Sequence, residues 1–152
     1  MKKILVLLVF LLIILPIPLV AAYEYHGPEI ELILLINNER LANNAPALTI
    51  NWEVTRLARY KTEEMKVHRF FDHESLVYGN PAETLARFHI PHTVVSANIA
   101  KGYETAQDVI TAWINAPGHH ANLINPEFTS AGVGLSLDDN GIPYWTLILL
   151  AE

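Results

Sequence analysis

Cysteine is absent from all 152 residues. Its absence excludes disulfides, thiol catalysis and a lipidated cysteine anchor, so the chain must hold together by its apolar core. Positive charge is scarce: 10 Lys and Arg stand against 16 Asp and Glu. Two of the ten, Lys2 and Lys3, precede an almost unbroken apolar run from Ile4 to Val20, closed by Ala21 and Ala22. A basic start, an apolar stretch and a Val20-x-Ala22 site form the pattern of a secretory signal. The alternative is an uncleaved anchor, since the run approaches the length that spans a bilayer. Pro16 and Pro18 break a helix close to the cut and favour the signal. Without residues 1–22, Lys plus Arg falls from 10 to 8 against 16 acids, a net charge of −8. Such a domain has no electrostatic footprint for nucleic acid and is repelled by anionic lipid. Membrane contact is expected only through residues 1–22, should they stay attached. The chain divides into that segment and one domain, 23–152, of roughly 130 residues, enough to bury a core.

Catalytic signatures are lacking too. No His-Glu-x-x-His helix and no Gly-x-Ser-x-Gly elbow occurs. Gly132 and Gly134 lie in a strand pattern rather than before a helix, so no phosphate cradle is expected. Ser75 reads as a loop hydrogen-bonder, Asp72 and Glu74 as solvated, and Lys101, Glu104 and Gln107 as surface.

What is present reads as helices first and strands later, an α+β pattern. Pro28 opens a helix to about Ala42, with Ile30, Ile33, Leu34, Asn37 and Leu41 on one face and further apolar residues nearly all round. Asn51 caps a second helix, with Val54, Leu57, Ala58 and Met65 inward and Arg56, Lys61 and Glu63 outward. A loop from His68 to Asn80 carries His73, and a short helix starts near Pro81. Val94 to Ala97 form a brief strand. Thr105 caps a helix whose Ala106, Val109, Ile110 and Trp113 share an apolar face. Asn115, Pro117 and Gly118 stop it, leaving His119 and His120 in a turn just past its end. Val133–Leu137 and Tyr144–Leu150 form a hairpin around Asp138–Gly141. Tyr144 and Trp145 point to opposite faces of their strand, so only one is expected to face the core.

Imidazoles on separate loops, His73 and His119, can meet only through the fold; otherwise each simply orders its own loop. Several segments in order bear on that choice: Ile36-Asn37-Asn38-Glu39-Arg40, Leu48 to Trp52, Val54 to Met65, Phe71-Asp72-His73-Glu74-Ser75, Ser96-Ala97-Asn98-Ile99-Ala100, Ala112 to His119 and Tyr144-Trp145-Thr146. Together they resemble the CAP superfamily, or SCP domain, of cysteine-rich secretory proteins, insect antigen 5 and plant pathogenesis-related proteins, and in particular its cysteine-free prokaryotic branch. The resemblance implies a three-layer α-β-α sandwich with a small antiparallel sheet. It implies a cleft along His73, His119, Ala97, Asn98 and Tyr144, with His73 and His119 as the metal-ligating pair where relatives hold a divalent cation such as zinc. Ala97 departs from the pattern: the branch usually carries glutamate there, in Gly-Glu-Asn-Ile-Ala. A methyl neither ligates a metal nor orients an imidazole, and no motif supports Glu74, Glu104 or His120 as a substitute. Leu147 likewise replaces the usual Gln after Tyr-Trp-Thr.

The leading expectation is therefore an exported, non-enzymatic module that binds an envelope or extracellular ligand, with no assigned catalytic residue and at most a weakly held cation. A weak metal-assisted hydrolase of envelope peptides or glycans, and a structural envelope protein with a vestigial cleft, stay open as alternatives.

Overall fold

A computed structural model describes residues 27–152; the expected signal segment lies outside them. Five helices and four strands follow in the order α1 (Pro28–Ala42), β1 (Thr49–Ile50), α2 (Trp52–Val67), α3 (Pro81–Arg87), β2 (Val94–Lys101), α4 (Ala106–Ile114), α5 (Pro117–Ile124), β3 (Ser130–Leu137) and β4 (Pro143–Ala151). The sheet order is β1-β3-β4-β2. β1 runs parallel to β3, and the other pairs are antiparallel. Helices α1, α4 and α5 cover one face of the sheet, and α2 and α3 cover the other. This is the expected α-β-α sandwich. None of its helices is long and apolar enough to cross a membrane.

Local chemistry starts α2, α3 and α4 where expected. Asn51 accepts from the Glu53 and Val54 N–H groups, and Thr105 accepts from Asp108. Asn80 and Glu83 complete a reciprocal capping box at α3. The hairpin β3–β4 forms as read, with Asp138 accepting from Asn140 and Ile142 inside the turn. β2 is longer than expected, continuing to Lys101.

Four expectations need correction. The buried face of α1 is Leu32, Ile33, Ile36 and Arg40, while Leu34 and Leu41 are exposed. A charged residue completes the core stripe and so hid its phase. The Arg40 guanidinium donates to the carbonyls of Pro46, Leu123, Asn125 and Phe128 at 2.7–2.9 Å, and these four bonds permit its burial. Lys61 is buried rather than outward. Tyr144 and Trp145 are both buried, because β4 has helices on both of its faces. The Pro-Gly-His-His segment is the first turn of α5, with Pro117 at its start, where a missing N–H costs nothing.

The strand β3 lies directly under α2. A Cβ added at Gly132 or Gly134 would collide with the α2 backbone at Thr55 or Ala58, so glycine alone allows this approach. On the opposite face, Trp113 packs into the larger core and donates its indole N–H to the Ile99 carbonyl at 3.2 Å.

Candidate functional site

β2 is an edge strand, and the two candidate histidines reach it from opposite layers. The His119 backbone sits in α5. The Asn98 amide, fully buried, donates to the His119 carbonyl at 3.1 Å and accepts from Asn122 at 2.8 Å. The His119 ring is half-buried, 6.5 Å from the Trp113 ring centroid. Burial, and secondarily the charge of nearby His73, push its pKa below the ordinary 6.5.

His73 comes from the long loop between α2 and α3, clamped from below by α2. The buried Lys61 ammonium donates to the Glu74 carbonyl and lies 3.5 Å from Glu64 Oε2. Burial pulls the Lys61 pKa down, and Glu64 works against that. Glu64 Oε1 accepts from Ser75 Oγ at 2.8 Å, while that hydroxyl caps the Val77 and Tyr78 N–H groups. Ser75 is thus engaged as a loop hydrogen-bonder and is no free nucleophile. Helical spacing alone places Lys61 inward, four residues after Leu57 and four before Met65; its charge was the misleading signal. Glu64 and Asn122 carry no sequence signal that separates them from surface residues.

The fold brings His73 and His119 together with ring centroids 6.3 Å apart. Neither ring has a hydrogen-bond partner among the described residues. Ala97 lies beside His73, above a small cavity of about 20 Å³ that Thr146, Ile148 and Leu57 also line. That is room for roughly one water, and the buried Thr146 hydroxyl has no protein partner. Tyr144 is elsewhere. It pairs in register with Lys101, four residues beyond Ala97, or about 13 Å along the strand. There it packs on Met65 and Ile99 beneath the Lys101 ammonium.

The donor set does not fit a firmly held divalent cation. Among the described residues no group of three His, Cys, Asp or Glu converges, and a stable site usually needs three or four protein ligands. His120 turns away and pairs with Glu39 on α1 at 2.8 Å. Glu104 lines a different depression, next to Tyr103 and Asp108.

Helical layers on both faces of a small sheet, with two imidazoles meeting at its open edge, define a cleft-bearing α-β-α sandwich of the SCP type. The chain belongs to the CAP, or cysteine-rich secretory protein, family, whose model matches residues 33–149. It is similar to the uncharacterized protein YkwD of Bacillus subtilis, 38% identical over 76% of this chain and 43% of the relative. It is also similar to the uncharacterized membrane protein YlbC of the same organism, 28% identical over 70% of this chain and 31% of the relative. The chain thus spans less than half the length of these curated relatives. Among solved structures, an extracellular SCP-domain protein from Bacillus anthracis matches with a TM-score of 0.76 at 25% identity, over 83% of this chain and 41% of that one. An outer surface protein from Borrelia burgdorferi shares the fold, with a TM-score of 0.74 at 20% identity over 80% of this chain and 90% of its own.

Proposed function

We propose that this chain is an exported CAP domain that binds a ligand or partner outside the cell membrane, through the cleft between His73 and His119, without performing chemistry there. The carrying observation is the imidazole pair itself: two rings 6.3 Å apart at an open strand edge, neither hydrogen-bonded to another described residue. No activated nucleophile or third metal ligand accompanies them among the described residues. The basic and apolar start of the chain supports export with residues 1–22 removed, as do similar proteins described as extracellular or outer-surface. In this reading Ala97 and Asn98 form part of the cleft, and Tyr144, packed on Met65 and Ile99, takes no part in it.

The test is native mass spectrometry of the protein purified from its own host, beside His73→Ala and His119→Ala variants. Retained mass in the natural protein that both variants lose is expected. Retention indifferent to either histidine overturns the assignment, and an intact Met1–Val20 segment in the final product overturns cleavage.

Metal binding sharpens this reading. Two imidazoles without a third ligand hold Zn²⁺ weakly, and less so in acid, because each ligating ring must be deprotonated. By titration calorimetry Ala97→Glu strengthens binding and either histidine-to-alanine change abolishes it. Tight binding by the natural sequence would contradict the two-ligand geometry.

A further inference from the structure

The open edge of β2 has its own chemistry. In an antiparallel pair, alternate residues turn both main-chain groups toward the partner strand. The Gly102 N–H donates to the Pro143 carbonyl at 2.9 Å, in the same register as Ala100↔Trp145 and Asn98↔Leu147. Even-numbered residues of β2 therefore serve β4, and Val95, Ala97 and Ile99 turn their N–H and C=O outward. Ile99 has its carbonyl covered by the Trp113 indole. Val95 and Ala97 have no such partner among the described residues. A shallow groove flanked by His73, Asn80, Pro81 and Ala82 runs along them. Such a row of unpaired groups is matched by one kind of ligand, an extended backbone.

The imidazoles decide how far that backbone can run. Non-bonded atoms meet at roughly 3.5–4.0 Å, so anything threading between two rings needs a gap of about 7–8 Å. The centroids are 6.3 Å apart. His119 is held at Asn98 and stands beside Trp113, whose indole covers the Ile99 carbonyl, so the groove that opens beside Val95 and Ala97 meets the imidazole pair toward Ile99. At the closed end stand two imidazole N–H donors lacking any acceptor among the described residues, in a chain with an excess of acidic residues. A carboxylate answers those donors, and the N–H of a neutral imidazole suffices.

We propose that the cleft takes the C-terminal end of an extended peptide, which adds to β2 as a parallel strand on Val95 and Ala97 and ends with its free carboxylate at His73 and His119. The proposal rests on the ligand-cleft reading above and names its ligand class. Parallel addition follows from the geometry, because the closed end lies toward the C-terminus of β2. Alternate side chains of the peptide face the two helical layers.

The probe is the heptapeptide acetyl-Gly-Thr-Val-Thr-Val-Thr-Val with a free C-terminus, titrated into the ¹⁵N-labelled chain. The Val95 and Ala97 amides exchange fast in the free protein and become protected with the probe, whereas Ser96 and Asn98 are protected throughout. Amidating the probe's C-terminus weakens binding at least tenfold. N-methylating its threonines or, separately, its valines gives opposite results: one set abolishes binding and the other is tolerated, since alternate N–H groups of a strand face opposite ways. Ala97→Pro, which removes one outward donor, weakens binding tenfold or more; the methylated probes test the same bond on the unaltered protein. Unchanged Val95 and Ala97 amides, equal binding of acid and amide, or indifference to both methylated probes overturns the proposal. The ligand-cleft reading fails separately, on host-derived mass indifferent to His73 and His119.

Discussion

The two helical layers each bury one cation, and they do so differently. In the layer of α1, α4 and α5, Arg40 has no carboxylate partner among the described residues; its planar fork spends its donors on four carbonyls that run from the loop after α1 to the segment between α5 and β3. In the layer of α2 and α3, Lys61 is a point charge shared between one carboxylate and one carbonyl of the His73 loop. The first arrangement welds secondary elements together around the larger apolar cluster, and His119 rides on one of those elements. The second fastens a loop to a helix over a smaller cluster and a cavity. One wall of the cleft is therefore built into the core, and the other is attached to it.

If that distinction is right, Arg40→Leu has the largest effect of any change on either side. It leaves the buried carbonyls of Leu123 and Phe128 without donors, and at about 1–3 kcal/mol for each unpaired group the total loss is about 4 kcal/mol. Urea melts should show a global shift, felt equally by probes in both layers. The other layer meets the sheet through glycine rather than through an ion. Gly134→Ala drives a methyl into the α2 backbone and should cost about 3 kcal/mol, again measured by urea melts. A loss under about 1 kcal/mol in either variant would break the contrast, since it would mean the contact yields easily.

Most of the architecture was legible because its signals are local. Asn51 and Thr105 cap helices through their own side chains, and Asp138 closes a hairpin within four residues. The errors fall where a charged side chain occupies an inward position. Arg40 and Lys61 obey helical spacing, but their charge argues for solvent, and only distant carbonyls and a carboxylate make their burial tolerable. Tyr144 and Trp145 show the other limit: alternation along a strand tells which face, but not whether that face is covered. Of the cleft, the meeting of His73 and His119 came through the family resemblance. The clamp beneath His73 and the free edge of β2 depend on register and long-range pairing, which no spacing in the chain reveals.

The loop-bearing wall should break locally. Lys61→Met removes a charged donor from the Glu74 carbonyl and leaves Glu64 buried without its partner, a loss of about 2 kcal/mol. Hydrogen exchange should quicken in residues 70–79 and stay unchanged in α5. Adding Glu64→Gln removes the stranded charge while keeping an acceptor for Ser75 Oγ, so the double variant should recover part of the loss. Equal loosening of both walls would show that the clamp is as deeply embedded as the arginine.

The smallest effect is a pH dependence, and it tests whether the two walls act on each other. Burial and the nearby His73 hold His119 below its ordinary pKa of 6.5. Between the lowered value and 6.5 the unfolded chain binds more protons than the folded one, so stability rises with pH across that window. It is lost as pH falls through 6.5 toward the lowered folded value, because the unfolded chain gains the proton that the folded chain resists. Urea midpoints measured from about pH 8 down to about pH 5 should therefore decline less in His119→Gln than in the natural chain. His73→Ala should remove a smaller part of the same slope, since its charge is the secondary cause and burial the primary one. If His119→Gln leaves the slope untouched, the ring is not desolvated by its helical wall. If His73→Ala alone leaves it untouched, the loop carries its imidazole too far away, or too loosely, for the pair to feel each other's charge.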